Sequence, residues 1–163
     1  MTAHDDFSPT LYLVCGLPGA GKTTRVRQIA KTTPAIQLCA DEWVVGLGRS
    51  LVDYEFRGRL QDCLLAHATQ LLSRGVDVVI EFGSWHRSER EVIRQTAIDA
   101  GAIVELHFLR APIDELVQRV RARGGPEAEA LTSILLADWE KFEEPSNEEQ
   151  AGFDRYFGPG DEW

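Results

Sequence analysis

One short stretch constrains the fold of this chain more than any other: residues 16–23, with the sequence GLPGAGKT. It places a glycine, four free positions and then Gly-Lys-Thr, which is the P-loop pattern. An apolar run, residues 11–15, precedes it, and residues 24–31 have the composition of a helix. A strand, a glycine-rich turn and a helix in this order form the setting in which the pattern binds phosphate. The sequence therefore predicts a nucleotide site at this turn.

The loop residues have distinct expected roles. Its glycines let successive backbone N–H groups point at one anion. Lys22 is predicted to act catalytically by reaching the β- and γ-phosphates, and the Thr23 hydroxyl to hold Mg²⁺. We expect ATP and Mg²⁺ as cofactors. The residues predicted to bind the nucleotide are Gly16, Pro18, Gly19, Ala20, Gly21, Lys22, Thr23 and Thr24.

The formal net charge of −9 bears on the choice of partners. Proteins that bind polynucleotides usually present a basic face, because neutralising phosphates supplies much of their affinity. We therefore expect a small-molecule partner and disfavour nucleic acid, although a local basic patch would permit it. No apolar run reaches the length of a membrane span, and residues 1–9 are too polar for a signal peptide. These features predict a cytoplasmic protein with no membrane partner.

Apolar runs alternate with helical patterns along the chain. The runs predicted to form strands are residues 11–15, 35–39, 76–82, 102–109 and 153–157. This alternation predicts a three-layer α/β fold in which a mostly parallel sheet of about five strands is covered by helices on both faces. The length is that of one domain. We expect a single domain over residues 1–163, with a small lid at about 124–131 and a mobile tail at about 158–163.

Two carboxylates follow predicted strands on the side of the sheet where parallel sheets bind ligands. Asp41 follows the second strand and is the candidate base that accepts a proton from a hydroxyl acceptor, which makes it also a substrate contact. Alternatively, Asp41 caps a short helix, and Glu42 is the weaker candidate base. Glu81 ends the third strand, where it could hold Mg²⁺ directly or through water, or instead bind substrate or a neighbouring basic group.

The turn after the third strand supplies candidate substrate contacts. Trp85 could flank an acceptor, and Arg87 or Arg90 could bind its phosphate or polar groups. The alternative for these arginines is an exposed helix start with surface ion pairs.

Two further arginines end the helix that precedes Gly124-Gly125-Pro126. Arg119 and Arg123 are four residues apart, so they share a helix face. An arginine on a mobile lid can neutralise charge on a transferred phosphoryl group, and the glycine pair supplies a hinge. The alternative is that both arginines only compensate the negative end of their helix.

Together these residues resemble one family. The motif GLPGAGKTT with Asp41 after the second strand is similar to small P-loop kinases related to polynucleotide 5′-hydroxyl kinase, chloramphenicol phosphotransferase and zeta toxin. The segments EFGSW at 81–85 with Arg90, and 139–149, resemble the single-domain "AAA family ATPase" kinases of that group. The resemblance implies a hydroxyl kinase with an adenylate-kinase-like core, Asp41 as base, and Arg119 and Arg123 as lid arginines. Glu81 replaces the more usual aspartate.

The sequence thus predicts an ATP- and Mg²⁺-dependent phosphotransferase that acts on a hydroxyl of a small molecule. A polynucleotide or nucleotide kinase would use the same mechanism on another acceptor. A nucleotide-binding switch without any phosphoryl acceptor is the alternative of a different class. The sequence leaves the acceptor and the oligomeric state open.

Overall fold

A parallel sheet lies at the centre of the computed structural model, which describes residues 8–163. Its strands are β1 (Thr10–Cys15), β2 (Ile36–Cys39), β3 (Val78–Gly83), β4 (Ile103–Phe108) and β5 (Arg155–Phe157). Their order is β2-β3-β1-β4-β5, and all neighbouring pairs are parallel. The predicted five-stranded α/β fold is confirmed.

Seven α-helices and one 3₁₀ turn (Trp139–Lys141) connect these strands within residues 8–163. The helices are α1 (Lys22–Thr32), α2 (Ala40–Gly46), α3 (Tyr54–Leu72), α4 (Arg87–Asp99), α5 (Ile113–Arg123), α6 (Pro126–Asp138) and α7 (Asn147–Gln150). Local chemistry fixes their ends: the Asp53 carboxylate accepts the Phe56 N–H at 3.1 Å at the start of α3. None of them has the length and apolar character needed to cross a lipid bilayer.

The core is formed where the helices cover the sheet. On one face, strand residues such as Leu13 and Ile80 contact the apolar side of α3 and α4. On the other face, Tyr12 and Val14 contact α1 through Ile29. β1 and β3 are buried along their whole length, because each has helices above and below it. The position of β1 between β3 and β4 brings its following loop to the crevice where such sheets bind ligands.

The segment 124–131, expected to form a small lid, contains only two residues outside helices. Only Gly124 and Gly125, with φ of 64° and 82°, separate α5 from α6. Helix α6 begins at Pro126, because proline is favourable in the first helical turn. The segment 124–131 is therefore a two-glycine joint followed by the first residues of α6.

The tail over 158–163, expected to be mobile, contacts the sheet. The Trp163 indole Nε1 donates to Glu105 Oε1 at 2.9 Å. Its ring lies edge-on to Tyr12 and to His107, with centroid separations of 6.1 and 5.6 Å. The Trp163 ring, whose N–H has an acceptor, therefore packs over the polar side chains of Glu105 and His107 on β4.

Arg90 corrects a prediction, because it is not placed to bind substrate. Its side chain is fully buried, and its Nε and Nη2 donate to the two Glu149 oxygens at 2.6 and 2.9 Å. Its Nη1 donates to the Ser84 carbonyl at 3.0 Å. Glu149 lies three residues after Ser146, which caps α7. Because its carboxylate binds Arg90, it connects α7 to α4 and, through Arg90, to the turn after β3. Arg90 is a buried structural tie.

We predict that Arg90→Met lowers the free energy of unfolding by about 3–5 kcal/mol, because it leaves the Glu149 charge buried without a partner. Denaturant unfolding measures the loss. Arg59→Met on α3 is the matched control, since the Arg59–Glu55 pair is 78% exposed on both side chains and should cost under about 0.5 kcal/mol. Adding Glu149→Leu to Arg90→Met should recover part of the loss. Equal effects of Arg90→Met and Arg59→Met would contradict the buried-tie assignment.

Candidate active site

The glycine loop after β1 approaches two other backbone segments closely. A Cβ on Gly16 would lie 2.5 Å from the Leu109 carbonyl oxygen, and one on Gly19 would lie 2.9 Å from the Leu116 carbonyl oxygen. Both glycines have positive φ, 149° and 84°. Any side chain at these positions would clash with backbone that cannot move aside. The glycines of the motif therefore press the loop against the end of β4 and against α5.

The same loop leaves backbone donors free. The N–H groups of Lys22, Thr23 and Thr24 open α1 and have no acceptor within residues 8–163. The loop itself is closed by the Ala20 N–H, which donates to the Leu17 carbonyl at 3.1 Å. Free N–H groups at the positive end of an eleven-residue helix form a cradle for an anion. The residues present therefore fit the phosphates of a nucleotide.

Lys22 is held inside the site by two oxygens. Its Nζ donates to the Leu17 carbonyl at 3.0 Å and lies 3.8 Å from Glu81 Oε1. The side chains of Lys22 and Glu81 are only 11% and 6% exposed. A buried ammonium beside a phosphate cradle is placed to stabilise negative charge on a bound phosphate.

Glu81 is a buried carboxylate at the end of β3. Burial raises the pKa of Glu81, the nearby Asp41 charge raises it further, and Lys22 opposes the rise. Its Oε1 has no hydrogen-bond partner within residues 8–163. A carboxylate oxygen without a donor is suited to a cation, and Thr23 and Asp41 bring two further oxygen groups to the same cavity.

These oxygen groups fit a Mg²⁺ ion that is shared with bound phosphates better than a metal ion held by protein side chains alone. Within the described part of the chain, no cluster of three or more His, Cys, Asp or Glu side chains could hold an ion alone. Mg²⁺ is usually held by one or two protein oxygens together with substrate phosphates. Thr23 and Glu81 would be the protein ligands.

A cavity of about 570 Å³ lies beside the loop. The predicted site residues that line it, besides Pro18 and Gly19 of the loop, are Lys22, Thr23, Asp41, Glu81, Trp85 and Arg123. The remaining predicted nucleotide-binding residues, Gly16, Ala20, Gly21 and Thr24, complete the loop and the first turn of α1. Groups from four parts of the sequence thus meet at the carboxyl end of the sheet.

Asp41 lies in the first turn of α2 and pairs with an arginine that sequence analysis missed. Its Oδ1 is 2.9 Å from Arg57 Nη2, although the N–H is not aligned for a hydrogen bond. Arg57 sits on α3, where it continues the apolar stripe of Leu60 and Leu64 one turn earlier. The position of a charged residue on the apolar stripe of a helix is the sequence pattern that could have identified Arg57 as a site residue.

Two predicted arginines lie outside the cavity. Arg87 is a surface residue whose Nη2 donates to Glu148 Oε1 at 3.2 Å, and its role as a substrate contact stays a prediction. Arg119 donates to the Gly19 carbonyl at 3.0 Å and pairs with Glu115. Arg119 therefore fastens α5 to the glycine loop, whereas Arg123, one turn further, lines the cavity and forms no ion pair within residues 8–163.

Ser84 is a second functional candidate that sequence analysis missed. It has φ of 49°, which is rare for a residue with a side chain, and it is only 4% exposed. Ser84 lines the cavity, and its buried hydroxyl has no hydrogen-bond partner within the described residues. Strained backbone and an unpaired buried hydroxyl are features of binding sites.

We predict that Glu81→Gln changes how stability depends on pH. Because burial raises the pKa of Glu81 in the folded state, wild type has the associated stability below the unfolded-state pKa and loses it as pH rises through the folded-state pKa. The glutamine variant cannot ionise. Its free energy of unfolding relative to wild type should therefore rise between about pH 5 and about pH 8.

Urea unfolding at each pH measures this difference, with exposed Glu129→Gln as the control. A relative stability of Glu81→Gln that stays flat or falls over that range would contradict the pKa assignment.

Comparison with known proteins identifies a matching family and solved structures of similar fold. The AAA_33 family, described as an AAA domain, matches residues 11–145. A search of curated proteins finds no match. A sugar kinase from Janibacter sp. HTCC2649 is 23% identical with a TM-score of 0.66, and the alignment covers 92% of this chain and 84% of that chain.

Two other solved structures have the same fold. The Mycobacterium tuberculosis APS kinase, in complex with AMPPNP and APS, is 20% identical with a TM-score of 0.66, covering 95% of this chain and 91% of that one. A chain of a Pnkp1/Rnl/Hen1 complex is 22% identical with a TM-score of 0.62. That alignment covers 72% of this chain but 41% of the other, and a second structure of this RNA repair complex is covered to 49%.

A family match over most of the chain, and structural neighbours that are P-loop kinases, agree with the loop, the strand order and the site. The chain belongs to the AAA_33 family, and its fold is that of a small P-loop kinase.

Proposed function

We propose that this protein is an ATP- and Mg²⁺-dependent phosphotransferase that moves the γ-phosphate of ATP to a hydroxyl group of a small molecule. One observation carries the proposal: the phosphate-binding groups Lys22 and Thr23 and the carboxylate of Asp41 line the same cavity. A site for phosphate alone would not need a partly exposed carboxylate beside it. The side chain of Asp41 is 40% exposed, which leaves it open to an acceptor.

The loop binds the nucleotide through its free N–H groups and Lys22. To reach a phosphate, the Lys22 ammonium would leave its contacts with the Leu17 carbonyl at 3.0 Å and with Glu81 at 3.8 Å. Mg²⁺, held by Thr23 and Glu81, would neutralise charge on the phosphates. Glu81 is then an oxygen ligand whose buried position favours a partner of positive charge.

Asp41 orients the acceptor and takes its proton. The acceptor oxygen forms a bond to the γ-phosphorus while the bond from that phosphorus to the β–γ bridging oxygen breaks, and ADP leaves. The hydroxyl proton passes to the Asp41 carboxylate. Because the transition state of phosphoryl transfer is loose, an ordinary carboxylate is a sufficient base.

Arg123 is the arginine placed to act on the transferred group. It lines the cavity, lacks an ion-pair partner within residues 8–163 and ends α5 directly before the Gly124–Gly125 joint. Arg119 is already engaged by the Gly19 carbonyl, so its part is to keep α5 against the loop. Rotation at the two glycines allows the start of α6 to close over the site.

Several observations favour a small acceptor. The net charge of −9 opposes a polyanion, and structural neighbours include proteins described as a sugar kinase, a gluconokinase and an APS kinase. The RNA repair neighbours support the second candidate, a polynucleotide or nucleotide kinase. That candidate predicts oligonucleotide affinity that falls steeply with salt.

We expect Asp41→Asn to reduce acceptor-dependent ATP consumption by about 10²–10⁴-fold while ATP binding stays intact, because the amide cannot accept the proton. The assay combines Mg²⁺, ATP and a panel of sugars, sugar acids, nucleosides, antibiotics and a 5′-hydroxyl oligonucleotide. Glu42→Gln, on the neighbouring residue of α2, is the control and should retain most activity. Turnover that survives in Asp41→Asn would remove Asp41 as the base, and tight ATP binding without any stimulating acceptor would favour a nucleotide switch.

We expect Arg123→Ala to lower kcat by about 10³-fold or more, because it removes a cation that would neutralise charge on the transferred group. Arg121→Ala is the matched control, since Arg121 lies on another face of α5 and does not line the cavity. Steady-state kinetics with a stimulating acceptor measure both. Equal losses in the two variants would assign the effect to the charge of the helix end.

A further inference from the structure

One wall of the cavity contains polar groups that phosphoryl transfer leaves unused. Arg57 lies there with a side chain that is 19% exposed, next to the turn that follows β3. A guanidinium this far out of water needs partners for its charge and for its five N–H groups.

The protein itself provides few of those partners. Arg57 Nη2 donates to the Phe82 carbonyl at 3.3 Å, and Gln61 Nε2 donates to the same oxygen at 3.0 Å. The pair with Asp41 also uses Nη2 and is not aligned as a hydrogen bond. Nε and Nη1 carry the other three N–H groups and make no hydrogen bond within residues 8–163. Three N–H groups of the guanidinium therefore remain free to donate to an oxyanion.

The turn beside Arg57 is shaped around it. A Cβ on Gly83 would lie 3.4 Å from Arg57 Nη2, so the guanidinium rests against a residue with no side chain. The next residue, Ser84, lines the same cavity, and its hydroxyl is buried without a hydrogen-bond partner within residues 8–163. The Ser84 backbone is fixed by the hydrogen bond from Arg90. The Ser84 hydroxyl and the Nε and Nη1 groups of Arg57 are thus donors without an acceptor within residues 8–163.

Several other charged groups of the cavity have partners within residues 8–163, whereas Glu42 and Arg123 form no ion pair there. Glu81 pairs with Lys22, and Asp138 pairs with Lys141. Glu89 accepts the His86 backbone N–H at 2.8 Å. Arg57 therefore remains as the cation of the acceptor side, since Lys22 and Arg123 serve the nucleotide.

We propose that Arg57 and Ser84 form a subsite for an anionic group of the acceptor, a carboxylate, phosphate or sulfate, while the acceptor hydroxyl lies at Asp41. This inference rests on the proposed function. When the anion takes the guanidinium, Asp41 loses part of its ion pair and is free to bind the hydroxyl. The acceptor is then an anionic hydroxy compound and not a neutral polyol.

Binding of matched compounds tests the subsite without requiring turnover. Isothermal titration in the presence of Mg²⁺ and AMPPNP compares gluconate with glucitol, glycerate with glycerol, and glycerol 3-phosphate with glycerol. The first two pairs test a carboxylate and the third tests a phosphate. We expect at least one anionic member to bind about 10–100-fold tighter than its neutral partner, as hydrogen bonds to a charged group imply.

Variants assign the preference to residues. Arg57→Met should reduce the anion-to-neutral ratio to about one, and Arg57→Lys should restore it in part, because it returns the charge without the planar fork. Ser84→Ala should weaken anion binding several-fold, by about the worth of one hydrogen bond. Arg59→Met, two residues away on the exposed side of α3, should leave the ratio unchanged. Thermal melts establish that each variant is folded.

The outcomes separate this subsite from the kinase proposal. Neutral members that bind as tightly as anionic ones, a preference that persists in Arg57→Met, or no binding by any anionic member would overturn the subsite. Phosphorylation of a neutral acceptor only would overturn it while the kinase stands. An anion preference that depends on Arg57, without ATP consumption, would support the subsite and count against the kinase.

Discussion

The close approach of the glycine loop to the rest of the backbone is the constraint on which the site depends. Gly16 lies against the Leu109 carbonyl and Gly19 against the Leu116 carbonyl, at distances that no side chain would allow. Ala20 of the same loop packs with Leu116 and Val120 of α5 and with Leu135 of α6. The candidate phosphate loop is therefore packed directly on α5 and α6, and Arg119 adds a hydrogen bond between the loop and α5.

The functional charges are arranged as pairs across the carboxyl ends of the strands. Lys22 faces Glu81, and Arg57 faces Asp41. Buried or half-buried charges are tolerated because each has an opposite charge nearby, but neither contact is a well-aligned hydrogen bond. In the proposed mechanism, both pairs would be exchanged for contacts with phosphate, metal or acceptor.

A different kind of pair fixes the shape of the acceptor side. Arg90 and Glu149 are almost wholly buried, and their two hydrogen bonds are short and well directed. Through its bond to the Ser84 carbonyl, this pair holds the turn after β3 in a conformation with positive φ. The Lys22–Glu81 and Arg57–Asp41 pairs line the cavity, where a ligand could replace one partner. The Arg90–Glu149 pair is enclosed by protein and has no such access.

The sequence by itself determined the class of fold and the phosphate site. The alternation of apolar runs and helices predicted the five parallel strands, and the spacing of Gly16, Lys22 and Thr23 predicted a cradle that depends only on local backbone geometry. Tertiary structure decided which distant side chains share the cavity. Arg57 could not be paired with Asp41 from sequence, since they are brought together by the packing of α2 on α3. Arg87 and Arg90 are three residues apart on one helix, yet one reaches solvent and the other the core, because burial depends on the facing α7 and not on local sequence.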